Sequence, residues 1–146
     1  MSTEANQAIV RRMFEELFNR QNLAVVDEVM ISDFIHHGPG TRVIQGSEHF
    51  KNPVLHRAFP DLHFTIEDML AEGDQVVTRW TLRGTHQGEF MDLPPTGKPV
   101  TWSGINITRL EEGKAVEDWV EQDSLGLMQQ LAGTTQPGQS SGGIKL

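Results

Sequence analysis

Residues 115–131, AVEDWVEQDSLGLMQQL, change period part-way, and that change constrains the chain more than any other stretch. Up to Gln122 they alternate as a strand does. Val116, Asp118, Val120 and Gln122 point to one face, and Glu117, Trp119, Glu121 and Asp123 to the other. Leu125, Met128, Gln129 and Leu131 then follow helical spacing, with Asp123 or Ser124 placed to cap the new helix. A strand of carboxylates running straight into an amphipathic helix sets an ionisable group either at the floor of a pocket or on a water-facing edge. This stretch alone leaves both open.

Three more alternating segments precede it, over 64–71, 75–85 and 100–110, and the four together predict an antiparallel meander. Glu72-Gly73-Asp74 and Glu111-Glu112-Gly113-Lys114 are the tight turns, and 88–99 is a longer loop. Upstream the period is helical. Ile9, Val10, Met13, Phe14, Leu17 and Phe18 share a face of a first helix capped by Thr3, and 23–30 reads as a short second helix capped by Asn22. A short extended piece, 32–37, ends in the turn Gly38-Pro39-Gly40. A third helix is predicted from Ser47 to Phe59, bent or started late by Pro53, with Phe50, Val54, Leu55, Ala58 and Phe59 inward and Pro60 closing it. Helices followed by a meander make an α+β domain, its sheet curled over the helices to leave an apolar cone. It is expected to occupy 1–133, with 134–146, rich in Gly, Ser, Gln and Thr, as a flexible C-terminal tail.

Composition removes several classes of function. A net charge of −8, with twelve basic residues and no basic stripe, argues against nucleic acid and anionic membranes as partners. Cysteine is absent, so disulfides, thiolate metal sites and cysteine nucleophiles are excluded. No apolar run approaches the ~20 residues of a membrane span and the N-terminus lacks a secretory leader, so the expected location is cytoplasmic. His36 and His37 are adjacent on an extended piece and so face opposite ways. No ligand spacing completes a metal site around them, and no metal is expected.

Several short motifs occur in a recognisable order: Phe18-Asn19, Asp33-Phe34, Ala58-Phe59-Pro60, Gly84-Thr85-His86-Gln87-Gly88, Pro94-Pro95-Thr96-Gly97, Arg109 before Gly113-Lys114, and Leu125-Gly126 through Gln130-Leu131. Over 5–133 the chain resembles the SnoaL-like polyketide (ester) cyclases, within the nuclear-transport-factor-like superfamily of cone-shaped α+β folds. The resemblance implies a cofactor-free intramolecular aldol condensation on a small apolar carbonyl compound, and a homodimer or higher homo-oligomer formed through the outer sheet face. In that family the last strand carries a His-x-Asp pair whose Asp is the acid/base. In register the pair falls on Asp118 and Val120, the family's helper histidine on Asn106, a polar pocket residue on His36, and a first-helix aromatic on Phe18. The expected acid/base position is thus a valine, but Asp118 lies on the same face, ~7 Å along the strand.

The resulting expectation makes Asp118 the base, Asn106 a donor to the enolate oxygen and His36 a proton relay, with Phe18, Phe34, Trp102 and Val120 as substrate-binding walls. The competing expectation is a non-catalytic protein that binds a small hydrophobic ligand in the same cone. Ketosteroid-isomerase-like chemistry wants a tyrosine, and the chain has none. Arg109 with Glu111 is the nearest approach to the Asp-Arg-Asp set of limonene-epoxide-hydrolase-like enzymes, and it runs into a turn. Of the remaining polar residues, Asp123 is expected as a helix cap, His86 at a surface turn, and His49 and His56 on a solvated helix face.

Overall fold

The computed structural model describes residues 1–133. The expected tail, 134–146, lies outside them. Helix α1 (Thr3–Phe14) is capped by Ser2, one residue earlier than expected, whose hydroxyl accepts from the Ala5 N–H at 3.0 Å. Val10, Met13 and Phe14 form its buried face, packed on the sheet. From Glu15 to Asn19 the helix widens into a π turn. That extra residue per turn swings Asn19 onto the edge of the sheet. Its amide donates to the Phe64 carbonyl at 2.9 Å and accepts from the Phe64 N–H at 2.7 Å, as a neighbouring strand would. Helix α2 (Ala24–Val29) follows; no side chain caps it, and the Asn22 backbone carbonyl accepts from Val25 instead.

Six strands make one curled, unclosed sheet in the order β2-β1-β6-β5-β4-β3. Strands β3 (His63–Glu72), β4 (Gln75–Thr85), β5 (Pro99–Glu111) and β6 (Lys114–Gln122) form the antiparallel meander that the alternation predicts. Register shifts between Ile66 and Asp68, and between Arg109 and Leu110, add local twist to it. The extended piece upstream is a full strand, β1 (Met30–His37), running parallel to β6. A three-residue strand, β2 (Val43–Gln45), pairs antiparallel with β1. The expected third helix is broken. Residues Ser47–Lys51 form a 3₁₀ turn and only Val54–Ala58 is α-helical (α3), because Asn52 is extended ahead of a proline that has no N–H to donate. Helix α4 (Ser124–Ala132) closes the fold; the Asp123 carboxylate caps it by accepting from the Gly126 N–H at 2.8 Å.

The core lies on the concave face of the sheet. Along β5, Val100, Trp102, Asn106, Thr108 and Leu110 are buried, and along β4, Val76, Thr78, Trp80 and Leu82. Phe34, Phe59 and Phe64 fill the space toward the helices, each stabilising the fold by roughly 1.5–3 kcal/mol through burial. This apolar layer contains a polar island of Thr78, Asn106, Thr108 and Asp118. A buried carboxylate needs donors, and what supplies them defines the site.

Candidate active site

Parallel pairing of β1 with β6 sets His36 opposite Asp118. The turn after β1 comes in so close that a Cβ on Gly38, at φ +92°, would collide with the carbonyl oxygen of Val120. His36 Nδ1 lies 2.5 Å from Asp118 Oδ1, and Asn106 Nδ2 lies 3.0 Å from Asp118 Oδ2. Behind Asn106, the Trp80 indole Nε1 sits 2.8 Å from Oδ1. Gly104, the register partner of Trp80, has no side chain, so the indole lies across it; a Cβ there would collide with the ring. Asp118 is 3% exposed and Asn106 5%.

These four residues fix one another's hydrogens. An indole N–H only donates, so the Asn106 carbonyl oxygen faces Trp80 and its amide hydrogens face Asp118. Both Asp118 oxygens accept, one from Asn106 and one from the His36 Nδ1–H. That contact sets the tautomer of the neutral ring, with the proton on Nδ1 and the lone pair on Nε2, and His36, unlike Asp118 and Asn106, lines the cavity. From core to cavity the order is Trp80, Asn106, Asp118, His36: Trp80 donates to Asn106, and Asn106 and His36 both donate to Asp118.

The cavity encloses about 600 Å³ between the end of α1, the turn after β1, residues 49–56, the β4–β5 loop and α4. Leu17, Phe18, Phe50, Phe90, Leu127 and Met128 give it apolar walls. Phe18 stacks on Phe64 with ring centroids 5.0 Å apart. Of the expected substrate walls, Phe18 borders the cavity, whereas Phe34, Trp102 and Val120 are not among its lining residues and pack in the core. Asp118, expected as the group facing the substrate, lies behind the histidine instead. The β1–β6 register decides this: Asp118 meets the His36 ring before it meets the cavity.

Two cavity residues depart from the sequence expectation, His56 and Arg42. His49 and His56 both line the cavity, but His49 stays exposed as expected, whereas His56, beyond the break at Pro53, is half-buried. His49 stacks over His36 at 6.3 Å, and its pKa is lowered from 6.5 first by partial desolvation, then by the charge of Arg42 and then by that of His36 when that ring is protonated. His56 Nε2 donates to the Phe18 carbonyl at 2.8 Å. Arg42, at the rim, belongs to none of the sequence motifs. His86, expected at the surface, is fully buried; its Nδ1 accepts from the Thr96 N–H at 3.2 Å and its ring packs against Phe59.

On the outer sheet face His37 points away from His36, as adjacent residues on a strand must. It bonds Glu117 at 2.6 Å and stacks on Trp119 at 5.1 Å. The His37 hydrogen bond, with Arg109 at 3.1 Å, holds the Glu117 carboxyl below its ordinary pKa. Among the described residues no group of three or more His, Asp or Glu side chains is placed to hold a metal ion, and no helix is long and apolar enough to cross a membrane.

Residues 8–131 match the model of the SnoaL-like polyketide cyclases. The chain belongs to that family. Solved structures of similar proteins agree with the fold. A protein from Jannaschia sp. CCS1 assigned as a SnoaL-like polyketide cyclase superposes with a TM-score of 0.83 at 27% identity, over 91% of this chain and 95% of that one. AclR of Streptomyces galilaeus, assigned as a hydroxylase, gives 0.83 at 29% identity over 92% and 85% of the two chains. IdmH of Streptomyces antibioticus, assigned as a polyketide cyclase, gives 0.75 at 29% over 87% and 98%. No curated protein matches the chain. This SnoaL-like protein has the curled sheet and helices of its structural neighbours.

Proposed function

We propose that this SnoaL-like protein closes a carbon ring by cofactor-free intramolecular aldol condensation, with His36 as acid and base. The observation that carries the reading is the chain of hydrogen bonds Trp80–Asn106–Asp118–His36, which orients an imidazole, bonded to Asp118 through Nδ1, at the edge of an apolar cavity. His36 Nε2 takes the activated proton between two carbonyls of the substrate. The imidazolium so formed is offset by Asp118 at 2.5 Å, a carboxylate sequestered from water. The enolate carbon attacks a second carbonyl of the same molecule, which the aromatic walls hold folded against it. His36 then returns its proton to the new alkoxide, leaving the protein unchanged. Asp118 and Asn106 act here as positioning residues, so the division of labour differs from the one the family resemblance implies.

A linear aryl compound bearing both a β-keto ester and a distal ketone tests the reading. Ring closure, followed by NMR as loss of the ketone carbon signal, is expected with the wild type. With His36→Gln it is expected to fall about 10²–10⁴-fold, the usual worth of a positioned acid/base. Saturable binding across a panel of such compounds, with neither ring closure nor exchange of the activated proton, would instead establish the non-catalytic binding protein.

A further inference from the structure

Charge is unevenly divided between the cavity and the rest of the chain. Acidic residues outnumber basic ones by twenty to twelve, yet among the described residues no carboxylate lines the cavity. Its ionisable lining is Arg42, His36, His49 and His56. The nearest acid described above, Asp118, has both oxygens engaged by His36 and Asn106. His56 is committed to the Phe18 carbonyl. Arg42 forms no ion pair with any described residue. Its backbone is anchored in the turn after β1, where its carbonyl accepts from the Gly38 N–H at 2.6 Å. The guanidinium charge reaches the His49 ring and, together with partial desolvation, lowers its pKa. A permanent cation thus stands at the rim of an apolar cavity, beside an imidazole that has an N–H to donate. A planar fork of donors matches a carboxylate, and an ester offers it only neutral oxygens.

We infer that the cavity selects an aromatic carboxylate over the corresponding ester: the ring-bearing body fills the apolar end, Arg42 grips the carboxylate at the rim, and His49 donates a further hydrogen bond to it. This rests on the reading of the cavity as the substrate site, and it names the substrate class as a free acid.

Calorimetric titration with 2-naphthoate and with methyl 2-naphthoate, on the wild type and on Arg42→Gln, tests it without turnover. The acid is expected to bind at least about tenfold more tightly than the ester, the size of one charge-assisted hydrogen bond. Arg42→Gln is expected to bring the two within about twofold by weakening the acid alone. Because Arg42 lies at the solvent-exposed rim, the preference also shrinks as salt is raised. Three results overturn the inference: an ester bound as tightly as the acid, a preference that survives Arg42→Gln, or no binding of 2-naphthoate. The aldol reading fails separately. A cavity that prefers the acid yet exchanges no activated proton would end that reading and leave this one standing, and exchange on esters without acid preference would do the reverse.

Discussion

Replacing Asp118 by asparagine exchanges one oxygen for an NH₂ group, and the relay converts that change into a different protonation of His36. Trp80 holds the Asn106 carbonyl, so Asn106 still offers only hydrogens across its 3.0 Å contact. The new amide must meet them with its oxygen, which turns its own NH₂ toward His36 Nδ1. Two donors cannot face each other, so the imidazole moves its proton to Nε2 and loses its basic nitrogen on the cavity side. In a histidine held by a carboxylate, this change of tautomer lowers the rate about 10⁴-fold, or about 5 kcal/mol in the barrier. Stability should fall by only about 1–2 kcal/mol, because two hydrogen bonds to a charge become two neutral ones. Imidazole ¹⁵N shifts read the tautomer directly and need no substrate. The double variant Asn106→Asp with Asp118→Asn supplies the converse. Its carboxylate, now on β5, would accept from Trp80 and from the new amide on β6, whose oxygen would again receive the His36 Nδ1–H. Its exchange activity is expected to exceed that of Asp118→Asn by about tenfold or more. A His36 that keeps its Nδ1 proton in Asp118→Asn, or a single variant as active as the wild type, would refute the reasoning.

Other perturbations reach the same relay or its surroundings. Gly104→Ala drives a methyl group into the Trp80 ring and should lower stability by about 1–3 kcal/mol in urea unfolding, with the tryptophan emission altered; an unchanged midpoint would mean that the indole does not need that gap. Gly38→Ala adds both the φ of +92° and the collision with the Val120 carbonyl, so it should cost more than about 1 kcal/mol and separate His36 from Asp118. Glu117 has a folded pKa below its unfolded value, so its contribution is complete above about pH 4.5 and is lost as pH falls through the folded value. Glu117→Gln should therefore flatten the acid limb of a stability–pH curve, and an unaltered limb would remove Glu117 from that role. A homodimer through the outer sheet face remains a proposal from the family resemblance. Ile105 and Trp119 are 47% and 36% exposed there, and Ile105→Glu should halve the mass seen in sedimentation if they meet a second copy.

Much of this fold was legible because the strands β3 to β6 alternate cleanly and end in turns, which sets their order and their inward faces. The switch to helical period at Asp123 likewise announces α4 and its cap. Parity puts Asp118 and Asn106 on the buried face, but it says nothing of which strand lies alongside. The β1–β6 pairing joins residues 82 positions apart, and it alone decides that His36 stands between Asp118 and the cavity. β2 is too short to leave a period. His56 departs from expectation because helical spacing does not carry across Asn52-Pro53, where the chain breaks. Arg42 belongs to a turn, and no pattern ties a turn residue to a cavity. Phe34, Trp102 and Val120 share the inward parity of wall residues, but parity cannot separate a core position from a cavity wall.

The claim on which the account turns is that His36 is the base of this cavity. Deuterium wash-in at the activated methylene of an aryl β-keto ester, measured by NMR for the wild type and His36→Gln side by side, tests it most directly. The account predicts exchange above the buffer rate with the wild type and its loss with His36→Gln, while ester binding persists. Exchange that continues undiminished without the imidazole would contradict it and return the search for the base to the other ionisable groups of the site.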